Sequence, residues 1–290
     1  MAAKLGKDYL QKAAADQQLI RAVKKRRQEK NHEGNSVILW KFIKKVFPRY
    51  RFYKFHATVI EQLQRVIDGE CNRLILQVPP RHGKSLLASQ LLPAAYLLAH
   101  PDRYVGISSY SAELAEGFSR KAREYFRESG GLLNPTSQAV NAWATEGGGG
   151  LWAAGVGGAI TGRSGHLLII DDPVKNREDA ESARMMEKLG DWYTSTLYTR
   201  LEPQVGAIVV IQTRWSENDM IGQLLENENN VSEKGRENWT ICDLPALYEE
   251  EGDRPSLPAH CPTIADWRSE VGEPLCPQRY DVDDLERIRE

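Results

Sequence analysis

Short, almost unbroken apolar runs punctuate this chain: Leu74-Ile75-Leu76-Gln77-Val78, Tyr104-Val105-Gly106-Ile107-Ser108, Leu167-Leu168-Ile169-Ile170 and Ala207-Ile208-Val209-Val210-Ile211-Gln212. Each is long enough for a strand and too short for a helix, and continuous apolarity predicts burial on both faces. Helical patterns lie between them. Val37–Val46 is amphipathic, and Ala57–Asp68 carries Val59, Ile60, Leu63 and Val66 near helical spacing before Gly69-Glu70. Leu86–Leu92 is apolar, Ala112–Ser129 runs to Gly130-Gly131, Glu178–Leu201 is helix-rich, and Met220–Glu226 predicts a short helix. Ala139–Thr145 and Leu151–Val156 flank Gly147–Gly150, a hairpin signal. Strands separated by helices predict an α/β fold with a mostly parallel, doubly wound central sheet and helices on both faces.

The ends differ from this core. Residues 1–30 predict a charged helix with little apolar face, followed by a break over 31–36. From Glu249 the chain is acidic and rich in Pro and Gly, as in a covering segment or linker. The predicted organisation is a basic helical segment over residues 1–50, a core over 51–245 and a covering segment over 246–290.

Charge sharpens that division. Residues 1–54 hold fifteen Lys/Arg against four Asp/Glu, a net of +11, and the remainder carries −13, so the overall −2 conceals a basic arm on an acidic body. Such an arm fits contact with nucleic acid or an acidic partner, and equally a solvated helix face. No apolar run is long enough to span a membrane, and the N-terminus lacks the apolar core of a signal peptide. Cys71, Cys242, Cys261 and Cys276 are far apart, and His260-Cys261 with Cys276 matches no zinc spacing. Unpaired, reduced thiols suit a cytosolic protein.

The first apolar run leads into Pro79-Pro80-Arg81-His82-Gly83-Lys84-Ser85 and then a helix. Strand, turn, Gly-Lys-Ser and helix is the layout of a phosphate-binding loop, in which backbone N–H groups and a helix N-terminus face phosphates. In that layout Lys84 reaches the β- and γ-phosphates and Ser85 ligates Mg²⁺. The pattern is incomplete: Val78 stands where the usual first Gly would be, and two prolines remove amides from the loop. Arg81 and His82 are the candidate replacements as donors. A Gly-Lys-Ser run is also compatible with an ordinary helix start. The run Leu167–Ile170 ends in Asp171-Asp172-Pro173. Asp171, at the carboxyl end of a strand, suits a metal held opposite Ser85, or else caps the turn before Pro173.

Five ordered motifs extend the picture. They are Pro79–Ser85, Gly155-Val156-Gly157-Gly158-Ala159-Ile160-Thr161-Gly162, Leu168–Pro173, Asp191–Arg200 and Gln212-Thr213-Arg214-Trp215-Ser216-Glu217-Asn218-Asp219. Together they resemble the N-terminal ATPase domain of the large terminase subunit of tailed bacteriophages, over roughly residues 50–290. The resemblance implies a P-loop NTPase of the additional-strand (RecA-like) type, using ATP and Mg²⁺.

It also implies roles. Lys84 binds phosphate. Asp172 is the general base, one methylene shorter than the usual Glu and with Glu178 nearby. Arg81 touches the nucleotide phosphates. Gln212-Thr213-Arg214 is a coupling segment sensing the γ-phosphate, the alternative for Arg214-Trp215 being a stacked structural pair. Phe55-His56 lies where such ATPases receive adenine, although core packing accounts for Phe55 as well. A trans-acting arginine is expected before the strand ending in Asp171. Thr161 stands there, which leaves Arg163 as the nearest candidate.

The implied partners are double-stranded DNA, a procapsid portal, a small terminase subunit and neighbouring copies in a ring, in the host cytoplasm and without a membrane. The family's nuclease domain would begin near Glu290, so no nuclease activity is expected here. Two alternatives remain open on sequence: a DNA helicase or translocase unrelated to packaging, and an assembly or DNA-binding module with a degenerate nucleotide site.

Overall fold

The structure, a computed structural model, describes residues 37–160, 162–250 and 257–289. The expectation for residues 1–36 lies outside them.

Eight strands form one sheet: β1 (Arg73–Gln77), β2 (Tyr104–Ser109), β3 (Leu133–Gln138), β4 (Ala142–Thr145), β5 (Gly150–Gly155), β6 (Leu167–Asp171), β7 (Ala207–Ile211) and β8 (Thr240–Asp243). Their spatial order is β3-β4-β5-β2-β6-β7-β1-β8. From β5 to β8 every pairing is parallel, and β4 runs antiparallel to both β3 and β5. The expected α/β class and mostly parallel sheet are therefore present. β7 lies between β1 and β6, which is the additional-strand arrangement.

The apolar runs are continuous because both sheet faces are covered. Leu74, Leu76, Leu167, Ile169, Val209 and Ile211 enter one core, and Ile75, Leu168, Ile170, Ile208 and Val210 the other. This alternation is the two-residue period of a strand expressed in apolar residues on both sides. Helices Leu39–Val46, Lys54–Ile67, Leu92–Ala99 and Ala112–Glu128 contribute to the first core. Ala183–Asp191, the π-helical turn Trp192–Leu197 and Met220–Asn230 contribute to the second.

Some bounds shift for local reasons. The helix expected from Ala57 begins at Lys54, because His56 folds back and its Nδ1 accepts the Tyr53 N–H at 2.9 Å. The segment after the Gly-Lys-Ser run is π-helical over Leu86–Leu91 and becomes α-helical at Leu92. Pro93 sits in that first α-turn; it lacks an N–H and crowds the preceding turn, which a π-bulge relieves. Two strands escaped the pattern. β3 is polar and contains Pro135, and β8 is a short edge strand.

The C-terminal segment packs on the β8 side. The bridges Ile241↔Thr263 and Leu247↔Pro274 tie it there. Buried Arg268 pairs with Asp266 at 2.6 Å and donates to the Pro245 and Glu273 carbonyls, both at 2.8 Å. All four cysteines are free and buried. Among the described residues no helix is long and apolar enough to cross a membrane.

Gly106 in β2 is required by packing: a Cβ there would run into the Trp152 ring. Gly106→Ala is expected to cost about 1–3 kcal/mol, the range for overpacking a core, read as a lower urea midpoint at unchanged m-value.

Candidate active site

All six parallel strands deliver their carboxyl ends to one edge, where open α/β sheets bind ligands. Asp171, Ile211 and Leu76 share one row across β6, β7 and β1. The loop after β1 then returns toward β6, so the helix that follows it places two hydroxyls on Asp171. Ser85 Oγ donates to Oδ1 at 3.1 Å, and Ser89 Oγ to Oδ2 at 2.5 Å. Ser85 and Ser89 are four residues apart and share a helix face.

Asp171 is 1 % exposed. Burial, and then the neighbouring Asp172 carboxylate, push its pKa up to about 7, against the pull of Ser89, Ser85 and Lys84. A carboxylate in this position favours either a proton or a cation.

A second chain of contacts runs beside it. Lys84 Nζ donates to Thr213 Oγ1 at 2.8 Å, and the Thr213 N–H donates to Asp172 Oδ1 at 2.7 Å. Asp172 is held by its backbone as well: its N–H donates to Ile211 O at 2.9 Å, and its carbonyl accepts from Tyr110 N at 3.1 Å. Its φ is +44°, and Arg81 in the loop has φ +61°. Left-handed backbone at non-glycine residues is costly and collects where geometry is functional. Asp tolerates it better than Arg does.

A family model described as the terminase large subunit, T4likevirus-type, N-terminal region matches residues 75–271, well over half of the chain. This chain belongs to the terminase large subunit family. No curated protein is a match. Among solved structures, the large terminase of bacteriophage HK97 is 15% identical, with a TM-score of 0.47, over 76% of this chain and 46% of that one. The large terminase of a thermophilic bacteriophage, solved with ADP, is 9% identical with a TM-score of 0.33, over 52% of this chain and 38% of that one. The same protein with ATP-gamma-S gives 9% and 0.33, over 52% and 37%. The chain thus spans less than half the length of these terminases.

In this terminase domain Lys84, Ser85, Asp171 and Asp172 come together, linked by Thr213. Gly83 has φ +82°, and a Cβ there would touch Tyr50 Oη at 3.5 Å. Arg81 is exposed. Gln212 is buried beside the site, and neither its Oε1 nor its Nε2 has a hydrogen-bond partner. A buried amide usually has a partner, so Gln212 is available to a water or a ligand at this edge.

Other expected residues are engaged elsewhere. His82 is buried and hydrogen-bonds the Pro80 carbonyl through Nδ1 at 2.9 Å. A carbonyl only accepts, so Nδ1 carries the proton, and the donor expected for phosphate is spent on the loop itself. Phe55 is 0 % exposed, with His56 at 4.0 Å and His82 at 5.4 Å between ring centroids. No ring face is free for a base, which corrects the expectation of stacking there. His56 is buried too; Tyr50 Oη lies 3.0 Å from its Nε2, and burial pulls its pKa down to about 3. It braces the loop as a neutral ring.

Arg214 does not stack on Trp215. Its guanidinium pairs with buried Asp219 at 2.7 Å and also meets Gln77 Oε1 and the Ser216 and Glu217 carbonyls, each at 3.2 Å. Asp219 in turn caps Met220–Asn230 through Gly222 N at 3.1 Å. Arg163 lies in the β5–β6 connection and makes no hydrogen bond or ion pair with Lys84, Asp171 or Asp172. Thr161 is outside the described residues.

Ser89 and Thr213 are the residues whose contacts were not anticipated. The signal for Ser89 is its spacing of four from Ser85 on an otherwise apolar helix.

Asp171 generates a pH prediction. Its folded pKa, about 7, lies above its ordinary 3.8. The folded state therefore binds the proton more tightly, and the stability this provides is complete below about pH 4 and lost as pH rises through 7. In EDTA, the parent should lose stability relative to Asp171→Asn between pH 5 and 8, by on the order of 1–4 kcal/mol, measured by urea unfolding.

Proposed function

We propose that this domain binds ATP with Mg²⁺ and hydrolyses it to drive double-stranded DNA into a procapsid. The observation that carries this reading is the convergence of Lys84, Ser85, Asp171, Asp172 and Thr213 at the carboxyl edge of a parallel sheet. Family membership supports the packaging role.

The residues fit the metal. Ser85 and Asp171 offer only oxygen, the donor set of a hard cation such as Mg²⁺. A cation would offset the burial that otherwise drives Asp171 toward protonation. Ser85 would turn its hydroxyl to the metal, with Asp171 reaching it directly or through water. Mg²⁺ held by Ser85 and Asp171 would supply positive charge against the transferring phosphoryl group.

The remaining steps belong to the chain. Lys84, released from Thr213, pairs with the β- and γ-phosphates, and exposed Arg81 adds a second cation from the loop. Asp172 is tethered through Oδ1 to Thr213 N, which leaves Oδ2 to orient the attacking water and take its proton. Exchange of Lys84 from Thr213 to phosphate alters the segment that Arg214 binds to helix Met220–Asn230. That is a route from phosphate to the surface that moves DNA. Arg163 would act on the site of a neighbouring copy in a ring docked on the portal and supplied with DNA by a small subunit, in the host cytoplasm.

Lys84→Ala should lower ATP turnover by about 10²-fold or more, as expected for loss of a charge that stabilises the transition state. Turnover at the parental rate in a phosphate-release assay would overturn the assignment.

A further inference from the structure

A nucleotide has a base as well as phosphates, and the rings expected to receive it, Phe55 and His56, are buried. The sheet order shows where else to look. On the nucleotide-site reading, Lys84, Asp171 and Thr213 receive the γ-phosphate end at β6 and β7. In the order β6-β7-β1-β8, the other end of the molecule leaves across β1 toward β8. The C-terminal segment occupies that side.

That segment is firmly anchored. Leu275 and Cys276 are buried in the main core, and Leu275 N donates to Ala246 O at 2.8 Å. Arg279 N and Tyr280 N both donate to Cys276 O, at 2.9 and 3.1 Å, making a tight turn. The turn sets the Tyr280 ring 5.6 Å from His82 at an interplanar angle of 36°. His82 in turn lies edge-on to Phe55. Of these three rings only Tyr280 is partly exposed. Beside it, exposed Arg279 lies near enough to disfavour protonation of both His56 and His82.

We propose that Tyr280, half-buried beside His82, is the base-binding residue of the nucleotide site, its ring stacking on the purine, with Arg279 beside the ribose and α-phosphate. The inference rests on the nucleotide-site reading above and deepens it. It also makes the C-terminal segment a part of the site, so that occupancy of the phosphate loop is felt at helix Val282–Arg289, which follows directly.

Calorimetry on the full chain separates this inference from its parent reading, with Mg²⁺–ADP and inorganic tripolyphosphate as probes. Tyr280→Ala should raise the Kd for ADP about 5- to 100-fold, the span of base–aromatic stacking, while tripolyphosphate affinity stays within about twofold. Tyr280→Phe should retain ADP affinity. If Tyr280→Ala binds ADP like the parent while Lys84→Ala does not bind it, the base lies elsewhere, and only this inference fails. If ADP and tripolyphosphate weaken together, Tyr280 merely supports the loop through His82, and the inference again fails. If the parent binds neither probe, the nucleotide-site reading falls and takes the inference with it.

Discussion

One buried carboxylate organises this domain. Asp171 ends β6 in a nearly water-free position and is held there by two hydroxyls from a single helix. Burying a charge is expensive unless it is compensated. Two neutral donors and a lysine that bonds elsewhere compensate it only in part, which is why its pKa rises. The strand order makes the contact possible: β7 separates β1 from β6, and the loop after β1 spans that gap to bring Ser85 and Ser89 onto Asp171. Left-handed backbone at Arg81 and Asp172 lies on either side of this contact.

Thr213 joins Lys84 to Asp172. Its hydroxyl accepts from Lys84 and its N–H donates to Asp172, so one residue of the β7 loop touches both the proposed phosphate-binding lysine and the proposed base. The same loop is braced by Arg214 against Gln77 at the end of β1 and against Asp219 at the start of helix Met220–Asn230. A ligand that draws Lys84 away would break its bond to Thr213, one residue before this brace.

Much of this was legible in the chain. The strands β1, β2, β6 and β7 announce themselves because both of their faces are buried, and Asp171 because it breaks an apolar run at a strand end. β3 and β8 were not legible: a polar edge strand carrying a proline and a short terminal strand leave no periodic trace. Lys84 and Ser85 stand out by type in the sequence, and the structure brings them to the carboxyl edge of the sheet, beside Thr213 and Asp171. What sequence could not supply was what each side chain already holds. Phe55 and His56 look available in the sequence, and both are consumed by packing behind the loop. Tyr280 lies almost 200 positions from the loop and reaches it only because Leu275, Cys276 and Arg268 pin the tail to β8.

A metal–nucleotide complex held at Ser85 and Asp171, as proposed, would displace the proton that burial favours on Asp171. Calorimetric titration of Mg²⁺–ADP at pH 7, repeated in buffers of different ionisation enthalpy, measures that exchange directly. The account predicts net proton release on binding by the parent, and loss of that release in Asp171→Asn. Binding without proton release in the parent, or equal release in both proteins, would contradict it.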